Sequence, residues 1–307
     1  MKWKMFKDAS PPGFVNPTAL PADEFQQQTW QQQNRDWWQK HSMRYDFSAP
    51  IPYEEFSKEF YAEIDKRFYA SASRYAPSKS IPFDFFIDFP SLRTKDVLEI
   101  GCGNGSHAQL LAAHAKSYTG IDLTEYAVKS ASTRLALFDL KATVLQMDAE
   151  QMQFPDNSFD FIWTWGVIHH SANTHSILKE MNRVLRPGGR AKVMVYYRGF
   201  WCYYVLGAVV AVLSGRPPTL DAIHECNQLL IDGGLARYYR PAEWRQLVGG
   251  LFRVERIGIC GPKEALIFLP GGKLKRAILR IVPNWLTRFL AAQCRMGNFL
   301  IAEMEKI

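Results

Sequence analysis

Cysteine is scarce in this chain and never arranged in pairs. Five occur in 307 residues, at 102, 202, 226, 260 and 294, with no C-x-x-C among them. That argues against a disulfide framework or a thiolate zinc site and fits a reducing cytoplasm. His224, Glu225 and Cys226 are adjacent rather than spaced as metal ligands, so no metal is expected. Long apolar runs are also missing. The longest, Phe200 to Leu213, is interrupted by Gly207 and falls short of the ~18–20 residues a membrane span needs. Residues Met1 to Asp8 lack the apolar core and cleavage site of a secretory leader. No internal repeat is present. With 47% hydrophobic and 22% charged residues, the composition excludes wholesale disorder, collagen and a coiled-coil rod.

What is present is uneven. The formal net charge is +7, yet thirteen Lys/Arg against five Asp/Glu lie between Arg237 and Ile307. The rest of the chain is therefore about neutral. Such a basic C-terminal third suits an anionic substrate, a nucleic acid or a lipid surface. The simpler reading is a solvated face whose Arg and Lys stems cover apolar atoms. The expectation is no stable nucleic-acid partner, with peripheral membrane contact through this third and a homodimer both left open.

Residues 1–34 are rich in Pro and Gln, show no apolar period and read as a flexible arm. Residues 35–95 read as an aromatic helical cap, with a helical stripe at 53, 56, 60, 64 and 68. From Asp96 short β-runs alternate with helices. Strands are expected at 97–100, 118–122, 142–146, 159–165 and 190–196, and helices at 106–115, 125–138 and 174–185. This alternation predicts a parallel sheet covered on both faces. It breaks after Tyr197. The domain is assigned to 96–307, with inserts at 198–236 and 261–297. Residues 273–295 read as a basic amphipathic helical stretch broken at Pro283, and 298–304 as a final strand.

The segment Val97-Leu-Glu-Ile-Gly-Cys-Gly-Asn-Gly105 carries the chemistry. Glycines at 101, 103 and 105 follow a buried strand and precede a helix, so the backbone can turn tightly and approach a ligand. Open parallel sheets bind ligands beyond the carboxyl ends of their strands. Asp122 ends the next strand, where a carboxylate can accept hydrogen bonds from ribose hydroxyls. A dinucleotide fold shares that logic, but the spacing here is G-x-G-x-G and not G-x-G-x-x-G. Glu99 would repel a diphosphate and suits a cationic ligand. Asp148 follows the third strand, where it could hold an adenine amino group.

Together with Asp156-Asn-Ser-Phe-Asp-Phe-Ile162 and Leu185-Arg-Pro-Gly-Gly189, these motifs resemble the class I S-adenosylmethionine-dependent methyltransferases. Trp165-Gly-Val-Ile-His-His170 is similar to the strand-four exit of a bacterial, type-11-like subgroup acting on small molecules. The resemblance covers about residues 95–200. It implies a Rossmann-like three-layer sandwich with a seven-stranded, mostly parallel sheet and an antiparallel last strand. It implies S-adenosylmethionine as cofactor, held by Glu99, Gly101, Cys102, Gly103, Gly105, Asp122, Leu123, Asp148, Ala149 and Trp165. The expected activity is methyl transfer to an O or N atom of a small-molecule acceptor. A lipid or RNA acceptor, or a cofactor-binding protein without catalysis, are the alternatives.

His170 and His169 lie just past the fourth strand and are the candidate bases, His170 being favoured. Otherwise one caps the following helix and the other packs beneath the cofactor. Tyr45, Tyr197 and Tyr204 are the candidate acceptor-binding residues, with Tyr196, Arg198 and Tyr203 beside them after strand five, all weighed against plain aromatic packing. Cys102 reads as a small side chain under the glycine turn, and His107 as helix surface. Trp163 and Trp165 are taken to face opposite sides of strand four, with Trp165 bordering the cofactor.

Overall fold

Buried strands joined through helices recur from residue 96 to the end of the chain. The computed structural model describes residues 16–47, 49–230, 235–267 and 272–307. The first fifteen residues of the expected arm lie outside these, as do 231–234 and 268–271 within the expected inserts.

Among the described residues two α-helices precede the sheet: α1 (Glu24–Lys40) and α2 (Lys58–Ala72). The core repeat then runs β1 (Asp96–Ile100), α3 (Ser106–His114), β2 (Ser117–Asp122), α4 (Glu125–Leu137), β3 (Thr143–Gln146), β4 (Phe159–Trp165), α5 (Thr174–Val184) and β5 (Leu185–Tyr197). An insert follows, made of a π-helical turn (Phe200–Val205), α6 (Leu206–Leu213) and α7 (Leu220–Leu230). Then come β6 (Tyr238–Tyr239), α8 (Pro241–Val248), β7 (Phe252–Cys260), α9 (Lys273–Ile281), α10 (Asn284–Ala292) and β8 (Phe299–Lys306).

The sheet order is β3-β2-β1-β4-β5-β8-β7, with the two-residue β6 paired to β5. Strands β1 to β5 are parallel, and β8 runs antiparallel to both β5 and β7. This is the expected Rossmann-like sandwich, seven long strands with an antiparallel last one. The short β6 is an addition.

Period-2 alternation assigns the two faces. Leu98, Ile100, Ile162 and Val193 pack with Ile177 and Leu178 of α5 and Trp244 of α8. Val97, Phe161 and Trp163 pack on the other face with Phe68 of the cap, Phe83 and Leu111. The cap is stitched down by Arg134 of α4. Its guanidinium is buried, is ion-paired with Asp65 and donates to Gln109 Oε1 and Ser106 Oγ.

Helix α1 corrects the reading of residues 24–34 as arm. Asp23 caps it, its side chain accepting from Gln26 N at 2.7 Å. Its inward face is polar: Gln31, Asn34 and Trp37 are its buried residues. Gln31 Nε2 donates to Asp148 Oδ1 (2.8 Å), and Gln31 Oε1 accepts from Ala172 N (3.0 Å). Gln27 Nε2 donates to Glu150 Oε2 at 2.6 Å. A helix docked through amides leaves no apolar period to detect.

Candidate active site

The site is assembled at the carboxyl ends of the parallel strands. β1 ends at Ile100, and the chain turns at Gly101 with φ +77°, in the left-handed region. A Cβ on Gly101 would stand 2.3 Å from Val167 Cγ2. Gly101 N and Cys102 N both donate to Ile121 O, at 2.8 and 3.2 Å. Gly103 N donates to Asp122 Oδ2 at 3.1 Å. Gly101→Ala combines a strained φ with overpacking, so it is expected to cost about 2–4 kcal/mol of stability. Chemical denaturation of the variant checks this; an unchanged midpoint would show that the turn has room.

Gly105 serves a different end from the one expected. With φ +79° it precedes α3, and a Cβ there would lie 3.1 Å from Arg134 Cδ and 3.3 Å from Ala131 Cα. It lets α3 approach α4 and lies outside the cavity wall.

Three carboxylates face one cavity. Asp122 Oδ1 accepts from Thr124 N (3.0 Å) and Thr124 Oγ1 (2.9 Å), and burial pushes its pKa up. Asp148 Oδ1 accepts from Glu150 N at 2.8 Å as well as from Gln31. Glu99 is wholly buried; it accepts a 2.6 Å hydrogen bond from Tyr118 OH and lies 3.8 Å from His107 Nδ1. Burial pushes its carboxyl up to about 8.

The cavity measures about 860 Å³. It follows the sheet order, from Asp148 and Asp122 beyond β3 and β2, past the glycine turn and Trp165, to Tyr196 and Tyr197 on β5 and Asn298 before β8. Gln31 of α1 and Tyr45 border it, as do Tyr203 and Leu206 of the insert.

His170 reaches this cavity from a 3₁₀ turn, Ile168–His170, that follows β4. Its Nδ1 lies 2.5 Å from Leu235 O, a carbonyl that can only accept. Nδ1 therefore holds the proton and Nε2 carries the lone pair. Burial lowers the pKa to about 4, so the ring is neutral near pH 7. Trp38 of α1 meets the ring edge-on, with centroids 5.2 Å apart. The turn is fixed by Arg237, buried, which donates to the carbonyls of Ser171, Ala172 and Ala19.

Of the residues expected from sequence, the structure brings His170, Glu99, Gly101, Cys102, Gly103, Asp122, Leu123, Asp148, Ala149, Trp165, Tyr45 and Tyr197 to the cavity wall. It leaves three outside. His169 is buried against Tyr196 and His170, with centroids 4.0 and 4.1 Å apart. Tyr204 turns away, its hydroxyl accepting from Arg240 at 2.7 Å, and Tyr203 takes its place. Gly105 is the third. Two further readings are corrected. Trp163 and Trp165 stack on the same face at 5.3 Å, because residues two apart in a strand share a side. His107 is buried beneath Phe83, with centroids 4.5 Å apart, and is not helix surface.

Tyr196 and Tyr203, also expected near the acceptor, line the cavity, whereas Arg198 does not. Gln31 and Asn298 line it too; they were unassigned from sequence and carried no signal there.

Residues 98–193 match the family profile described as a methyltransferase domain. Over that segment the chain is similar to methyltransferase domains. Over 103 residues the chain is 38% identical to the 27-O-demethylrifamycin SV methyltransferase of Amycolatopsis mediterranei, covering 32% of this chain and 38% of that protein. Over 97 residues it is 39% identical to the phthiotriol/phenolphthiotriol dimycocerosates methyltransferase of Mycobacterium tuberculosis, covering 31% and 35%. The chain thus spans just over a third of the length of these relatives. A solved complex between the Haloferax volcanii Trm112 methyltransferase activator and a methyltransferase shares the fold. That match has a TM-score of 0.50 and 18% identity over 80% of this chain and 92% of the other.

Class I methyltransferases use S-adenosylmethionine, and the site fits that group. A glycine turn with no space for a Cβ gives backbone access, and the carboxyl groups of Asp122, Asp148 and Glu99 suit hydroxyls and amino groups, Glu99 giving up its proton as a cation approaches. Among the described residues no cluster of His, Cys, Asp and Glu is suited to a metal.

The buried titratable groups around the cavity also set a pH dependence. Glu99, held near 8, keeps a proton that the unfolded chain loses near 4.5, so its contribution to stability declines as pH rises from 4.5 to 8. His107 and His170, lowered to about 3 and 4, refuse protons that the unfolded chain takes up near 6.5. Their contribution declines as pH falls from 6.5 to 4. The melting temperature is expected to peak near pH 6 and to drop by about 5 °C on the alkaline side, since a few kcal/mol shifts Tm by several degrees. The alkaline drop should shrink in Glu99→Gln, the remainder ending near pH 7 because burial also pushes Glu150 up to about 7, and calorimetry across pH 4–9 would reveal an unchanged drop.

Proposed function

We propose that this chain transfers the methyl group of S-adenosylmethionine to an O or N atom of a small-molecule acceptor. The observation carrying this reading is continuity: one cavity joins the glycine turn, Asp122 and Asp148 to a tyrosine-lined end beside a neutral histidine. The chain would hold ribose hydroxyls at Asp122 and the adenine edge at Asp148, where Gln31 already shares the carboxylate. Glu99 would face the cationic amino-acid part of the cofactor.

Bound there, S-adenosylmethionine supplies a methyl group already activated by a sulfonium. The protein's own work is then alignment and water exclusion. Positioning contributes roughly 7–11 kcal/mol to such reactions. Trp165, Tyr45 and α1 would close the site, limiting competing hydrolysis. His170 Nε2 accepts a hydrogen bond from an acceptor hydroxyl and so orients it. An oxygen that gains a methyl group becomes a strongly acidic oxonium, so a base with a pKa of about 4 is strong enough to take the proton at that stage.

Calorimetric titration with S-adenosylmethionine, S-adenosylhomocysteine and NAD tests the cofactor half. Micromolar binding of the first two without NAD supports the reading, and the reverse order refutes it. Screening phenols and amines with methyl-labelled cofactor tests the acceptor half. Binding with no transfer to any acceptor would favour a cofactor-binding protein without catalysis. An amphiphilic, lipid-like acceptor is the second reading. It is favoured by the large apolar side chains that α9 and α10 expose close to the tyrosine-lined end. Five unpaired cysteines fit a protein working in a reducing cytoplasm.

A further inference from the structure

Helices α9 and α10 reverse the usual relation between side-chain size and burial. In α9 Leu274, Ala277, Ile278 and Ile281 form one continuous apolar face, with Leu279 off it and half-buried, yet no residue of the helix is fully buried. Leu274 is 66% exposed and Ile281 80%. In α10 the small Thr287 and Ala291 face the protein, while Trp285 and Phe289 are 63% and 53% exposed. Burial favours large apolar groups, so a helix that buries Thr and Ala and exposes Trp and Phe has not been shaped by this chain's own core.

The charge along these two helices is of one sign: Lys273, Arg276, Arg280 and Arg295 are exposed, Lys275 and Arg288 are half-buried, and no Asp or Glu occurs between Glu264 and Glu303. The surface is fastened to the tyrosine-lined end of the cavity. Lys263 Nζ donates to Val282 O and to Asn284 Oδ1, clamping the α9–α10 joint. Pro262 and Ala265, on either side of that lysine, line the cavity, as does Cys202, whose thiol donates to Met296 O beyond α10.

We propose that α9 and α10 form an interfacial anchor that seats this end of the molecule on an anionic lipid bilayer. Leu274, Ile281, Trp285 and Phe289 would enter the headgroup–acyl boundary while the six cations meet lipid phosphates. The surface chemistry favours this occupant over two others. In a symmetric pair of chains the same patch meets itself, bringing like charges together. RNA answers the charge but leaves Leu274 and Ile281 in water. The proposal stands independently of methyl transfer. It predicts the surface that the protein presents, whatever acceptor it modifies.

The test is co-sedimentation of the full chain with vesicles of phosphatidylglycerol and phosphatidylcholine, against phosphatidylcholine alone. Binding is expected to be at least tenfold tighter to the anionic vesicles and to be lost near 0.5 M salt, where the Debye length is only a few Å (~4 Å). Leu274→Glu with Trp285→Glu should lower it at least tenfold, and Lys275→Glu with Arg276→Glu should remove the preference for anionic lipid. Both positions of the first pair are exposed, so the melting temperature should not change. Should that variant fail to fold, Trp285→Phe serves instead, losing most of the vesicle-induced blue shift in tryptophan fluorescence. Three results overturn the proposal: no binding to anionic vesicles, tighter binding to single-stranded RNA than to vesicles, or a dimer in sedimentation velocity that Trp285→Glu dissociates.

Discussion

Asp122→Ala is expected to weaken binding of S-adenosylmethionine and S-adenosylhomocysteine by a factor of about 100 or more. The carboxylate ends β2, lines the cavity and receives Gly103 N and Thr124 N, so it braces the glycine turn and, on the proposed reading, also holds the ligand. Hydrogen bonds to a charged group contribute roughly 1.5–3 kcal/mol each, and two ribose hydroxyls would lose theirs together. Asp122→Asn separates the two roles. It keeps the shape and a carbonyl oxygen for Gly103 N but removes the charge, and its affinity should fall between those of the wild type and the alanine variant. Isothermal titration reads all three proteins. Equal affinities would remove Asp122 from the site and with it the whole cofactor assignment.

His170→Ala should leave cofactor affinity within about threefold and lower turnover by roughly 10²–10⁴, the range for a lost acid–base group. The acceptor is one found by the labelled-methyl screen. Because burial holds the imidazole's pKa near 4, the wild-type rate should show no inflection near 6.5 and should fall only below about pH 5. An inflection at 6.5 that disappears in the variant would mean that His170 is less enclosed in the working enzyme. Turnover unchanged in His170→Ala would end its role as base.

The parts of the fold that were legible in the residues are those built on apolar periodicity and glycine punctuation. The five parallel strands, the turn at Gly101 and the placement of Asp122, Asp148 and His170 all follow from that. The misses have particular physical causes. Helix α1 docks through Gln27 and Gln31, whose hydrogen bonds leave no trace in a hydrophobic pattern. Tyr203 replaced Tyr204 at the cavity because Phe200–Val205 is π-helical, and its wider turn shifts the facing of each residue relative to an α-helix. His107 sits at the start of a helix with a weak polar–apolar division, and the aromatic cap that covers it is remote in sequence. Trp163 and Trp165 needed only the two-residue repeat of a strand, correctly applied. The outward Trp285 and Phe289 could not be read, because a stripe at helical spacing looks the same whether it faces a core or solvent.

The amide fastening of α1 has a consequence for how the donor nucleoside comes and goes. Undocking that helix would break a handful of hydrogen bonds that water can replace and would wet Trp37, Trp38 beside His170 and Trp30 beside Ala19 and Leu235, while breaking no ladder bond of the sheet. The wall beside Asp148, where the adenine edge is proposed to lie, can therefore swing while the sheet behind it stays intact.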